Sequence, residues 1–143
     1  MTTPQNIVIA GGGLAAAKTA EALHELGFHG TVTLVGAEPH PPYERPPLSK
    51  DYLMGKSGLD DATVHPQDWY EQNGISLILG TRVSSVDAQA HDVRLADGTV
   101  LGYDKLVLAT GSTVRRLSLP GADADGVHYL RTVEESDALR STF

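Results

Sequence analysis

The sequence predicts an α/β fold in which a buried parallel sheet is flanked by helices and carries a small β-meander. Three observations point to it. Ile7-Val8-Ile9-Ala10 is an apolar, β-branched run of the length of a buried parallel strand, and a small-residue helical stretch from Leu14 through Leu26 follows it. A second strand-like run, Thr31-Val32-Thr33-Leu34-Val35, comes after the helix stop at Gly27 and completes a β-α-β order. Farther on, short strand-like runs alternate with turn residues, and Asp97-Gly98 is a strong hairpin signal.

The corner between the first strand and helix reads Ala10-Gly11-Gly12-Gly13-Leu14-Ala15-Ala16, a G-x-G-x-x-A pattern. Gly11 suits the tight turn, Gly13 lets backbone approach a pyrophosphate, and Ala16 is small enough for helix to pack on strand. Phosphates would rest on the free N–H groups and the positive dipole end of the helix that opens near Leu14 and Ala15. Glu38 lies just past the second strand, roughly 20 residues beyond Ala16, where a ribose-binding carboxylate belongs. The glycines alone are also compatible with a plain tight corner and Glu38 with a solvated loop acid. Strand, turn, helix and acid in this order favour a Rossmann-like, dinucleotide-binding unit. A carboxylate at Glu38 disfavours a ribose 2′-phosphate, which makes NADP the poorest fit.

Downstream, five prolines fall within nine positions from Pro39 to Pro47. They oppose helix and strand ladder alike and predict a stiff extended segment that holds Arg45 and Lys50 in place. A short helix is expected over Leu48 to Met54, stopped by Gly55, with Leu59 to Thr63 as loop. Pro66 to Asn73 reads as a helix closed by Gly74, and Ile75 to Leu79 as a further parallel strand. Val83 to Asp87, Asp92 to Leu95 and Val100 to Tyr103 form the meander, about residues 81–104. Leu106 to Ala109 returns as a buried strand that ends at Thr110-Gly111-Ser112, the end at which open α/β sheets place ligands. A last strand is expected from Val127, then a capping box of Thr132 and Glu135 opening a helix through Leu139.

The 143 residues suit one domain, and 41% hydrophobic composition is ordinary for a globular protein. A net charge of −7 and a pI near 5.2 oppose nucleic-acid binding, which needs clustered Lys and Arg. With no apolar run of membrane-spanning length and no charged-then-apolar leader, the expected location is the cytoplasm, without a membrane partner. The cysteine count is zero, which excludes disulfides and thiolate chemistry within these residues. The six histidines lack metal-ligand spacing, and no metal is expected.

The runs GGGLAAAKTAEALHELGF and TVTLVGAEPHPPYERPPLSKDYL, with TRVSSVDAQAHDVRLADGTVLGYDKLVLATGS and GVHYLRTVEESDALR, resemble the N-terminus of the FAD-dependent ferredoxin reductases. These include the putidaredoxin, rubredoxin and dioxygenase-system reductases. The resemblance covers essentially the whole chain, and P-Y-E-R-P-P-L-S-K is its specific part. It implies a Rossmann-like FAD-binding domain of the glutathione-reductase type, with FAD as cofactor and NADH as hydride donor. The adenosine ribose would meet Glu38, and the pyrophosphate would lie over Gly11, Gly13, Leu14 and Ala15, with Arg45 helping to neutralise it. Val83 would pack near the adenine, Ala109, Thr110 and Gly111 would line the cofactor, and Arg131 would close over it.

Lys50 is the expected catalytic residue, a cation near flavin N5 that favours the negative charge arriving with hydride. A lysine in the first turn of the expected helix is electrostatically disfavoured there, which calls for such a reason. Relatives of the glutathione-reductase and NADH peroxidase types pass electrons through cysteine thiolates, whereas this span holds Arg45, Pro46, Pro47, Ser49 and Lys50. Serine is not redox-active, so electrons would leave the flavin for an external ferredoxin or rubredoxin-type carrier. The resemblance also implies an incomplete enzyme, residues 1–143 being the N-terminal part of an FAD/NAD(P)-binding domain without its nicotinamide-binding and C-terminal domains. On that view the chain alone lacks turnover. The alternative is a non-catalytic dinucleotide-binding or self-associating fragment, a homodimer being conceivable through an uncovered sheet edge.

Overall fold

The structure, a computed structural model, describes residues 5–143. Seven strands form two sheets: β1 (Asn6–Ala10), β2 (Thr31–Gly36), β3 (Ile75–Leu79) and β7 (Lys105–Leu108) in one, β4 (Val83–Asp87), β5 (Asp92–Leu95) and β6 (Val100–Gly102) in the other. Helices are α1 (Leu14–Glu25), α2 (Gln67–Gln72) and α3 (Val133–Arg140). The four-stranded sheet is parallel throughout, in the order β3-β2-β1-β7. The chain first steps outward from β1 to β2 and β3, then returns to the other side of β1. That reversal creates a switch point at the carboxyl end of β1, where open α/β sheets bind ligands.

The chain divides into two compact units. The first comprises the residues through Tyr43 with Thr63–Gly111 and holds both sheets, α1 and α2. Its central strand is buried on both faces and its side chains alternate between two cores. Ile7 and Ile9 pack with Ala16, Ala17 and Ala20 of α1 and with Leu34, Tyr70 and Ile75. Val8 faces the opposite way, onto Val35 and onto Val93 and Leu95 of the meander. Fully burying a side chain such as Ile9 stabilises by roughly 1.5–3 kcal/mol, and the alanines of α1 let helix and sheet approach closely. The second unit comprises Glu44–Ala62 and Ser112–Phe143. There α3 is held to the proline-rich arm by Ser136, fully buried, whose Oγ donates to the Leu48 carbonyl at 2.7 Å.

The predicted sheet, first helix, meander and capping box are all present, but the returning strand, expected to be buried, is β7 at the edge of the sheet, with Lys105 and Leu108 exposed. Differences fall where proline or a missing partner decides. Instead of a helix over Leu48 to Met54 there is a 3-10 turn, Pro46–Ser49, that ends at Lys50 with φ −133° and ψ −117°. Successive prolines can open such a turn, since its first positions need no N–H donors, but the non-helical Lys50 interrupts any longer ladder. The proline-rich run also forms one bridge, Tyr43 to Thr63, and residues 60–62 of the predicted loop form a 3-10 turn. No strand forms from Val127; those residues run in irregular conformation. Among the described residues no helix is long and apolar enough to cross a membrane.

Candidate dinucleotide-binding site

Within the first unit, the switch point is built almost wholly from backbone. Gly11 N–H donates to the Val35 carbonyl at 2.8 Å, which ties the glycine corner to the end of β2. Gly11 has φ +136°, and a Cβ placed there would lie 2.0 Å from the Ala109 carbonyl oxygen. Only glycine fits such an approach. Next to it, a Cβ on Gly12 would lie 2.8 Å from the Gly36 Cα, so two glycines cross where corner and second strand meet. Gly13 is the N-cap of α1, makes no side-chain cap, and opens a first turn without acidic residues. The first N–H groups of the helix, at Leu14, Ala15 and Ala16, are left for an external acceptor, and the dipole there favours an anion. Leu14 and Ala15 are exposed, whereas Ala16 is buried against the sheet, which accounts for its small side chain.

Glu38 follows β2 at the same end of the sheet. Its backbone carbonyl accepts from Gly80 N–H at 3.0 Å, and the Gly36 carbonyl accepts from Thr81 N–H at 3.2 Å, so the β3–β4 turn braces this segment. The Tyr43 hydroxyl donates to Glu38 Oε2. Ala109 N–H donates to the Ala10 carbonyl at 2.8 Å, which brings the end of β7 beside Gly11. Thr110 and Gly111 continue from it as exposed residues, Gly111 with φ +70°. Val83 packs against the core of Val8, Val35, Val93 and Leu95 at the start of β4.

The remaining predicted residues lie in the second unit. Arg45 Nη1 donates to the Arg131 carbonyl at 2.8 Å, and Arg131 N–H donates to Glu135 Oε2 at 2.7 Å. Glu135 also accepts from Thr132 N–H at 3.1 Å, completing the capping box, so these residues fasten the arm to the start of α3. Tyr52 OH donates to Asp137 Oδ1 at 3.0 Å, and its ring lies under Arg140. Burial, first, and then the Asp137 carboxylate push the Tyr52 hydroxyl above its usual pKa. Lys50 is exposed at the end of the 3-10 turn. The first-turn electrostatic argument for it therefore does not hold, since the carbonyl end of a turn favours a cation. Among the described residues no group of three or more His, Cys, Asp or Glu side chains could hold a metal.

Three contacts were not legible beforehand: Tyr43 on Glu38, Gly12 against Gly36, and Ser136 on Leu48. Gly12 meets Gly36 and Ser136 meets Leu48 across long stretches of chain, whereas Tyr43 and Glu38 are near in sequence and only the packing of Tyr43 directs its hydroxyl. The P-Y-E-R run marked Tyr43 as unusual, but nothing in the order of residues aims its hydroxyl.

A parallel sheet with a switch point, an uncapped helix start and an acid beyond β2 define a dinucleotide-binding α/β architecture. This chain belongs to the family described as pyridine nucleotide-disulphide oxidoreductase, which matches residues 5–143. Among individual relatives, it is 44% identical over 137 residues to the ferredoxin–NAD(P)(+) reductase fdr of Sphingomonas sp, covering 96% of this chain and 33% of the relative. Rhodocoxin reductase of Rhodococcus erythropolis is also 44% identical over 137 residues, with 96% and 32% covered. The crystal structure of the ferredoxin reductase for the CYP199A2 system of Rhodopseudomonas palustris superposes with a TM-score of 0.90 at 38% identity, covering 96% of this chain and 34% of that one. Putidaredoxin reductase in its covalent complex with putidaredoxin gives 0.86 at 37% identity, with 96% and 34% covered. The chain thus spans about a third of the length of these relatives.

Proposed function

We propose that this chain binds FAD and forms the N-terminal, FAD-binding part of an NAD(P)H-dependent reductase that serves a ferredoxin-type iron–sulfur protein. The observation that carries the reading is the uncapped start of α1 at the switch point, with Glu38 braced at the neighbouring strand end. A diphosphate finds N–H donors at Leu14, Ala15 and Ala16, room beside Gly13, and no acid in the first turn to repel it. Glu38 accepts hydrogen bonds from the adenosine ribose. Val83 flanks the adenine, and Ala109, Thr110 and Gly111 line the cofactor beside Gly11. The resemblance to the ferredoxin reductases would assign Arg45 to the charge of the diphosphate, Arg131 to covering the cofactor, and Lys50 to the flavin N5 as a cation. When bound, FAD supplies hydride acceptance and release of single electrons. The chain's own part is to hold that group, shield it and present a cation to it. Zero cysteines leave no thiolate relay within these residues, which supports direct delivery to an external carrier such as a ferredoxin or rubredoxin. The names of the ferredoxin reductases above support the same partner class.

Purified chain mixed with FAD and passed through a desalting column tests this. Retained yellow colour and flavin absorbance are the expected result; a colourless protein that takes up no FAD overturns it. In the whole protein, Lys50→Ala slows flavin reduction by NADH, and an unchanged rate removes the role given to Lys50. A second reading, a self-associating dinucleotide-binding module, has support in β7, which ends the four-stranded sheet with Leu108 68% exposed. Sedimentation at high concentration decides it: a monomer mass removes this reading.

A further inference from the structure

We propose that Tyr43 is a positioning residue that sets nucleotide specificity: its hydroxyl aims the Glu38 carboxylate, so that preference for a ribose 2′-hydroxyl depends on a side chain acting through Glu38. The inference rests on the dinucleotide reading above. A glutamate side chain has three rotatable torsions, and freezing them on ligand binding weakens the binding that results. Here the backbone of Glu38 is already fixed, by Gly80 N–H on its carbonyl at 3.0 Å and by the bond from Thr81 N–H to Gly36 at 3.2 Å. At the carboxylate, the Tyr43 hydroxyl donates to Oε2.

Tyr43 is itself a rigid support. Only 2% of it is exposed, its backbone bridges Thr63, and the His40 ring meets it edge-on at 6.2 Å. A phenol is well suited to the task. It is a neutral donor, so it orients the carboxylate without cancelling the charge that attracts ribose hydroxyls. The bond also biases the choice of sugar, since an aimed acceptor gains most from a hydroxyl at the matching place.

The test uses the full chain, with ADP and 2′-deoxy-ADP as probes in titration calorimetry. Wild type binds ADP more tightly than 2′-deoxy-ADP. Tyr43→Phe, which keeps the buried ring, lowers that ratio by about threefold to fivefold and leaves 2′-deoxy-ADP affinity and the unfolding midpoint unchanged. Glu38→Ala removes the preference, and adding Tyr43→Phe to it changes the ratio no further. An unchanged ratio in Tyr43→Phe, or an equal loss for both nucleotides, overturns the positioning role while leaving the dinucleotide reading intact. Wild type that binds neither ADP nor FAD overturns both.

Discussion

Gly11 concentrates the constraints on the site into one residue. Its φ of +136° and the 2.0 Å approach that a Cβ would make to the Ala109 carbonyl leave no room for any side chain. Gly11→Ala is therefore expected to lower stability by about 2–4 kcal/mol, read from denaturant midpoints, and to abolish FAD retention. Tyr70 presents the opposite case. It is fully buried, and its hydroxyl has no hydrogen-bond partner among the described residues. Burial, with the Glu21 carboxylate adding to it, pushes that hydroxyl up to about 12. Because burial penalises the phenolate in the folded state, stability is unaffected below the unfolded value, near 10, and falls as pH rises from there toward 12. Tyr70→Phe should flatten this alkaline decline and, at neutral pH, be neutral or stabilise by about 1 kcal/mol. A loss of stability in thermal melts at neutral pH would show that the hydroxyl has a partner. Asp104 works at the other end of the scale, where backbone bonds from Gln5 and then Asn6, at 2.7 and 2.9 Å, hold its carboxyl below the usual range. A lowered folded pKa gives stability above the unfolded value that is lost as pH falls through the folded one. Asp104→Ala should therefore destabilise at neutral pH, with the gap to wild type closing in acid.

At the scale of elements, α1 and α3 begin in contrasting ways. Thr132 caps α3 through Glu135, and Glu135 in turn accepts from the backbone of Thr132 and Arg131. A helix so closed has its first donors satisfied and offers little to a ligand. Thr132→Ala should cost about 1 kcal/mol, measured by denaturant unfolding. α1 starts at a glycine with no side-chain cap, so its donors remain for a phosphate. Both starts could be read beforehand, because a cap is a matter of residues three apart. The 3-10 turn at Pro46–Ser49 could not, since proline followed by a later glycine signals a helix and a chain of turns equally well. The irregular run from Val127 illustrates a different limit, as β-branched composition supplies strand propensity but no partner strand.

For the molecule as a whole, the order β3-β2-β1-β7 requires the chain to complete the meander before β7 reaches β1. Pairing so distant in sequence is slow to form and strongly cooperative once formed. Amide exchange should be slowest in β1 and β2, which supply buried side chains to both cores, and fastest over residues 112–131, which form no helix or strand and are mostly exposed. Equal protection in both regions would contradict this ranking. Zero cysteines and a net charge of −7 act at this scale too, by leaving no thiolate within these residues and opposing nucleic acid without choosing a fold.

Order of residues alone determined the strand–glycine–helix corner, the acid at Glu38, the meander hairpin and the α3 cap, because each depends on neighbours a few positions apart or on a simple period. Tertiary structure decided which strands lie side by side, that Gly12 must pass Gly36, and that Tyr43 donates to Glu38. Those contacts depend on the direction of a side chain or the closeness of two backbones, and such quantities exist only after distant segments have packed.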